Sequence, residues 1–113
     1  MKSLATITES DIDTIKIALN DSISDIKAEL KEDIKEKKKI ELLDYKNKYL
    51  RVIEKLDVNS SIYSLSETEL DIVAGGLNDS IQLLEEILTD DPTDQETINV
   101  KNDCLRLVEL LAG

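Results

Sequence analysis

The chain has 113 residues, a formal net charge of −11, three Gly, one Pro, one Cys and no His. This length suits a single domain, 1–113, with an aliphatic core and no disulfide framework. The lack of His excludes the common zinc and nucleophile–histidine sites, and the scarcity of Gly and Pro favours long helices over many short strands.

The first predicted helix begins at Thr8, which we expect to be its N-cap, with the acidic Asp11 at the third helical position. Apolar residues then follow at spacings of three and four, the pattern of a helix with one buried face. They are Ile12, Ile15, Leu19, Ile23, Ile26, Leu30 and Ile34. The apolar face changes direction beyond this stripe, so we place a turn around residues 34–39. One continuous helix through residues 32–40 is the alternative, because no Gly or Pro interrupts it.

The second predicted helix covers roughly residues 40–57, and residues 58–65 form a linker. Ser66 and Glu69 make a capping box at the start of the third helix, which Pro92 ends. A further capping box, Thr93 with Glu96, begins the fourth helix, which runs to the C-terminus.

An internal repeat organises these elements. Leu77-Asn78-Asp79-Ser80-Ile81 repeats Leu19-Asn20-Asp21-Ser22-Ile23 at an offset of 58, and later matches such as Lys101-Asn102 with Lys46-Asn47 fall at an offset of 55. A self-match of this kind indicates an internal duplication. The sequence therefore predicts an all-α fold, a four-helix bundle built from two tandem, duplicated helical hairpins at residues 8–57 and 66–112.

Gly75 and Gly76 interrupt the third helix where the first has Ile17 and Ala18. They form either an exposed groove for a partner or close packing inside the bundle. The repeated Asn-Asp-Ser stretch is either a pair of binding patches or ordinary solvent-facing surface. The candidate partner-binding residues come from these two features and the acidic second half of the chain. They are Gly75, Gly76, Asn78, Asp79, Glu85, Glu86, Asn20 and Asp21. We expect no catalytic, metal-binding or cofactor-binding residue.

The charge is unevenly distributed, with twelve acids and two bases in residues 58–113 but five acids and eight bases in residues 35–57. An acidic body favours a basic protein surface as partner over direct nucleic-acid binding. We therefore expect a non-enzymatic protein–protein interaction module, a small acidic inhibitor or adaptor. Immunity proteins and phage anti-defence factors are analogues in size and charge alone.

Two alternatives remain open: an assembly subunit that forms a homo-oligomeric helical bundle, including a homodimer, and a nucleic-acid mimic. The first residues carry neither a signal-peptide pattern nor a membrane span, so the expected location is cytoplasmic.

Overall fold

Four long α-helices account for most of residues 4–112, the part of the chain that this computed structural model describes. They are α1 (Glu9–Leu30), α2 (Glu36–Val58), α3 (Glu67–Asp90) and α4 (Gln95–Ala112). One-turn 3-10 helices, Leu4–Thr6 and Ile62–Ser64, precede α1 and α3. Residues 4–112 contain no strand and the helices pack together, so the predicted all-α four-helix bundle is confirmed. The internal duplication stays a prediction.

Capping boxes fix the starts of α1 and α3, and their N-caps are Thr8 and Ser66, as the sequence predicts. The hydroxyl of Thr8 accepts a hydrogen bond from the backbone N–H of Asp11, whose carboxylate accepts one from the N–H of Thr8. Ser66 and Glu69 make the same pair of bonds at 3.2 and 2.9 Å. Each box satisfies two of the backbone donors that a helix start leaves unpaired.

The start of α4 differs from the prediction. Asp94 caps this helix, since its carboxylate accepts hydrogen bonds from both the backbone N–H and the hydroxyl of Thr97. The hydroxyl of Thr93 instead donates to Asp91. The predicted Thr93–Glu96 box is therefore wrong, and the physical reason is that aspartate is the stronger capping residue of the two neighbours.

The connection between α1 and α2 occupies residues 31–35, so a turn exists but lies earlier than the predicted 34–39. The chain leaves the α-helix through two tighter bonds, from the N–H of Lys31 to the carbonyl of Ala28 and from Glu32 to Glu29. Lys and Glu are good helix formers, so the segment 36–39 becomes the first turn of α2 rather than part of the loop. The alternative of one long helix is excluded.

The helices α1 and α3 form the centre of the bundle. The first packs against α2 and α3, and α3 packs most extensively against α4. The largest fully buried side chains are aliphatic apart from one thiol. They are Ile12, Ile15, Leu19, Leu56, Leu77, Leu107, Leu111, Val52, Val73 and Cys104. No helix within residues 4–112 combines the length and the apolar composition needed to cross a membrane.

Two ion pairs tie the hairpins together in the same manner. The guanidinium of Arg106 on α4 lies 2.6 Å from the carboxylate of Asp11, and the ammonium of Lys55 on α2 lies 2.7 Å from Glu69. These bases lower the pKa of both carboxyl groups below their ordinary values. In each case the capping-box acid of one hairpin meets a base on the second helix of the other, although neither offset of the predicted repeat matches Lys55 with Arg106.

Candidate functional site

An open groove of about 670 Å³ lies between α1, α2 and α3. We call it the acidic groove. Each helix contributes residues three or four positions apart, which follow a nearly straight line along a helix surface. The α1 wall consists of Ser22, Asp25, Ile26 and Glu29. The α2 wall consists of Lys38, Leu42, Tyr45 and Tyr49. The α3 wall consists of Gly75, Asp79, Gln82, Leu83 and Glu86. At 1.5 Å per residue, the α2 and α3 walls are about 16 Å long.

The floor of the groove is apolar and held by two hydrogen bonds. Ile26 and Leu42 are buried there, and the nearly fully buried Tyr49 donates its hydroxyl hydrogen to Asp79 at 3.0 Å. Burial and the neighbouring carboxylate raise the pKa of Tyr49 above its ordinary value, so the hydroxyl stays a donor. Deeper in the bundle, Ser22 donates to the backbone carbonyl of Gly76 at 3.3 Å. These bonds fix the α2 and α3 walls relative to each other and to α1.

The rim carries excess negative charge. Asp25 and Glu29 extend from α1, while Asp79 and Glu86 extend from α3, and Lys38 is the one base among the lining residues. No base within residues 4–112 forms an ion pair with any of these four carboxylates. Their charge is therefore available to a ligand.

The two glycines have different surroundings. Gly75 is exposed in the acidic groove, and a Cβ atom built on it meets no heavy atom within 4 Å. Gly76 is buried, and a Cβ atom there would overlap Cδ2 of Leu19 on α1. Gly76 thus serves close packing between α1 and α3 and is not on a surface that a partner touches, whereas Gly75 is open.

The other predicted residues are spread over several surfaces. Asp79 and Glu86 line the acidic groove, but Asn78 and Asn20 are exposed outside it. Glu85 pairs with Lys101 of α4 at 3.5 Å. Asp21 lines a second cleft on the opposite side of the central helix pair. The structure therefore brings only three of the eight candidates, Gly75 included, into one site.

The second cleft, of about 120 Å³, lies between α1, α3 and α4. Under the predicted repeat, six of its lining residues correspond to six of the acidic groove. At the offset of 58 the pairs are Ser22 with Ser80, Ile26 with Leu84, Gly75 with Ile17, and Asp79 with Asp21. At the offset of 55 they are Tyr45 with Val100 and Tyr49 with Cys104. The predicted repeat therefore places the two clefts at equivalent positions in the two halves, and the duplication itself stays a prediction.

The Cys104 thiol in the second cleft is not suited to act as a nucleophile. Burial raises the pKa of the Cys104 thiol to about 11, so the thiol is neutral at physiological pH and a poor nucleophile. Within residues 4–112, no group of three or more Cys, Asp or Glu residues is placed to hold a metal ion.

Sequence reasoning missed Asp25, Glu29, Tyr45 and Tyr49 as site residues. The signal was present, because each pair is spaced four apart and so shares one helix face. However, the sequence does not say which polar faces of different helices meet, and the groove depends on that meeting. Comparison of the chain with known proteins found no matching protein family, no matching curated protein and no matching solved structure.

Proposed function

We propose that this protein is a non-enzymatic interaction module that holds a basic segment of another protein in the acidic groove. The observation that carries the proposal is the set of four rim carboxylates that no base of residues 4–112 neutralises. An arginine or lysine from a partner would form ion pairs with these carboxylates, three of which are exposed, because its charge is complementary to theirs.

The floor of the groove suits the same ligand. The side chains of Ile26, Leu42 and Tyr49 offer apolar contact, and Tyr45 leaves 51% of its surface exposed at the mouth. Arginine and lysine carry long apolar stems below their charged ends, and aromatic rings attract cations. By covering a basic surface in this way, the protein would act as an inhibitor or an adaptor.

Selection from a random peptide library tests the proposal. Displayed peptides of about 16 residues are long enough to exceed the groove in any conformation. We expect the peptides enriched on the wild-type protein to be rich in Arg and Lys. Their affinity should fall as salt rises, since screening weakens exposed charge pairs. Failure to enrich any peptide, or enrichment of peptides without basic residues, would overturn the proposal.

Charge reversal then locates the contact. The double variant Asp25→Lys/Glu86→Lys should weaken the best peptide by about tenfold or more, because it removes two favourable charges and adds two repulsive ones. The matched control, Asp71→Lys/Glu109→Lys, changes net charge equally at exposed positions outside the groove. If both double variants weaken binding to the same extent, the acidic groove is not the site.

A second candidate function, self-assembly, rests on the outer face of α2. Ile40, Leu43 and Leu50 are 61%, 44% and 37% exposed. Together with the exposed Asn47 they repeat at spacings of three and four, the pattern of a helix that pairs with another helix. The partner on this face would be a second copy of the chain. Sedimentation analysis across a concentration series should show a dimer for the wild-type protein and a monomer for Leu43→Glu. A wild-type protein that is monomeric at every concentration would eliminate self-assembly as a function.

A further inference from the structure

We infer that the ligand of the acidic groove is an amphipathic basic helix that lies along α3 and passes over Gly75. This inference rests on the proposed function and specifies its partner. The α2 and α3 walls run along their helices for about 16 Å, about three helical turns, and the α1 wall for about 10 Å. A helix laid along the groove can contact all three walls where the α1 wall is present.

The walls favour a helical ligand over an extended one. All three walls are helices, whose backbone groups are already paired within each helix. They therefore offer no row of free N–H and C=O groups to which an extended peptide could add as a strand. A helix brings its own backbone hydrogen bonds and so loses none on entering the groove.

The charges are spaced for side chains of such a helix. Asp79 and Glu86 are seven residues apart on α3, which is two turns, and Asp25 and Glu29 are four apart on α1. Basic side chains at matching spacings on the ligand can reach both rims. An apolar residue between them faces the floor at Leu42.

Gly75 determines whether the ligand can approach. Its counterpart in the second cleft is Ile17, whose side chain lines that cleft and is 59% exposed. The acidic groove has no side chain at this point, so a ligand backbone can come close to α3. The glycine therefore sets the depth of the groove, while the carboxylates set the preference for basic ligands.

Exchange of this residue tests the inference with the best selected peptide as probe. Gly75→Ile, which copies the residue of the second cleft, should weaken binding by about tenfold or more through loss of close contact. Ile17→Ala alters the second cleft and should leave affinity unchanged. A denaturant midpoint close to or above the wild-type value would show that Gly75→Ile is folded. We expect this result because the position is exposed and its Cβ has room.

Circular dichroism of the complex is the second readout. The helical signal should exceed the sum of the free components, and a proline placed at the centre of the peptide should abolish binding. If Gly75→Ile binds normally, or if the peptide gains no helix, the inference fails. The proposed function would survive that failure, provided that the charge-reversal variant still loses affinity. Spermidine that competes with the peptide at equal affinity would assign the groove to free polyamines instead.

Discussion

Replacement of each glycine of α3 by alanine tests how α1 and α3 are packed. A Cβ atom at Gly75 meets nothing within 4 Å. At Gly76 the same atom overlaps Cδ2 of the fully buried Leu19 and lies 3.5 Å from Cε1 of Tyr49. The two variants share the residue type and the helix, so helix propensity acts almost equally on both and the surroundings account for the difference.

The magnitudes follow from these contacts. Gly75→Ala should raise the free energy of unfolding by about 0.5–1 kcal/mol, because alanine is the better helix former and has room. Gly76→Ala gains the same propensity but overpacks the interior, which costs about 1–3 kcal/mol. The free energies of unfolding of the two variants should therefore differ by about 1–3 kcal/mol, and Gly76→Ala should be the less stable protein.

Urea denaturation followed by far-UV circular dichroism measures this difference. A double-mutant cycle identifies the neighbour: Leu19→Ala alone should cost about 2–5 kcal/mol, and less in the Gly76→Ala background, where the new methyl group fills part of the cavity. Equal midpoints for Gly75→Ala and Gly76→Ala would refute the packing described for α1 and α3.

Three further predictions concern the caps and the buried thiol. Because Arg106 lowers the folded-state pKa of Asp11, the pair contributes stability above the ordinary pKa of 3.8 and loses it as the pH falls below that value. The stability gap between wild type and Arg106→Gln, measured by urea denaturation, should therefore narrow in acid; a gap independent of pH would contradict the pairing. Ser66→Ala should cost about 0.5–2 kcal/mol, whereas Thr68→Ala, exposed in the same first turn, should have little effect on the denaturation midpoint. Cys104 should react with Ellman's reagent far more slowly in the folded protein than in urea, since a pKa of about 11 against an ordinary 9.0 leaves roughly a hundredfold less thiolate; equal rates would mean that the thiol is accessible.

The parts of the fold that the sequence predicts correctly depend on local rules. The stripes of α1 and α3 and the boxes at Thr8 and Ser66 involve residues within one or two helical turns. The start of α4 was one residue off because Thr93 and Asp94 are both capping residues, and the stronger of the two, Asp94, caps the helix. The position of the α1–α2 turn was missed for a similar reason, since the Lys-rich segment from residue 36 is compatible with either loop or helix.

The candidate site was less predictable because it depends on contacts between helices. Gly75, Asp79 and Glu86 could be found on one stripe of α3, but the α1 wall lies about 55 residues away in sequence and the α2 wall about 37. No local pattern indicates that Asp25 of α1 and Glu86 of α3 line the same groove. The predicted repeat helps to identify site residues only after the structure has shown the two clefts, whose lining residues can then be compared.

The comparison of the two clefts bears on the glycine at residue 75. A glycine inside a helix costs about 1 kcal/mol relative to alanine. At Gly76 close packing offsets this cost, because Leu19 can approach α3 only where the side chain is missing. At Gly75 no packing contact in the free protein offsets the cost, since the space around it is open. Under the predicted repeat, the corresponding residue of the second cleft is the bulky Ile17. A residue that breaks a local rule without a packing reason is most often found at a functional site. The destabilising choice at residue 75 therefore supports the proposed site in the acidic groove, independently of the rim carboxylates.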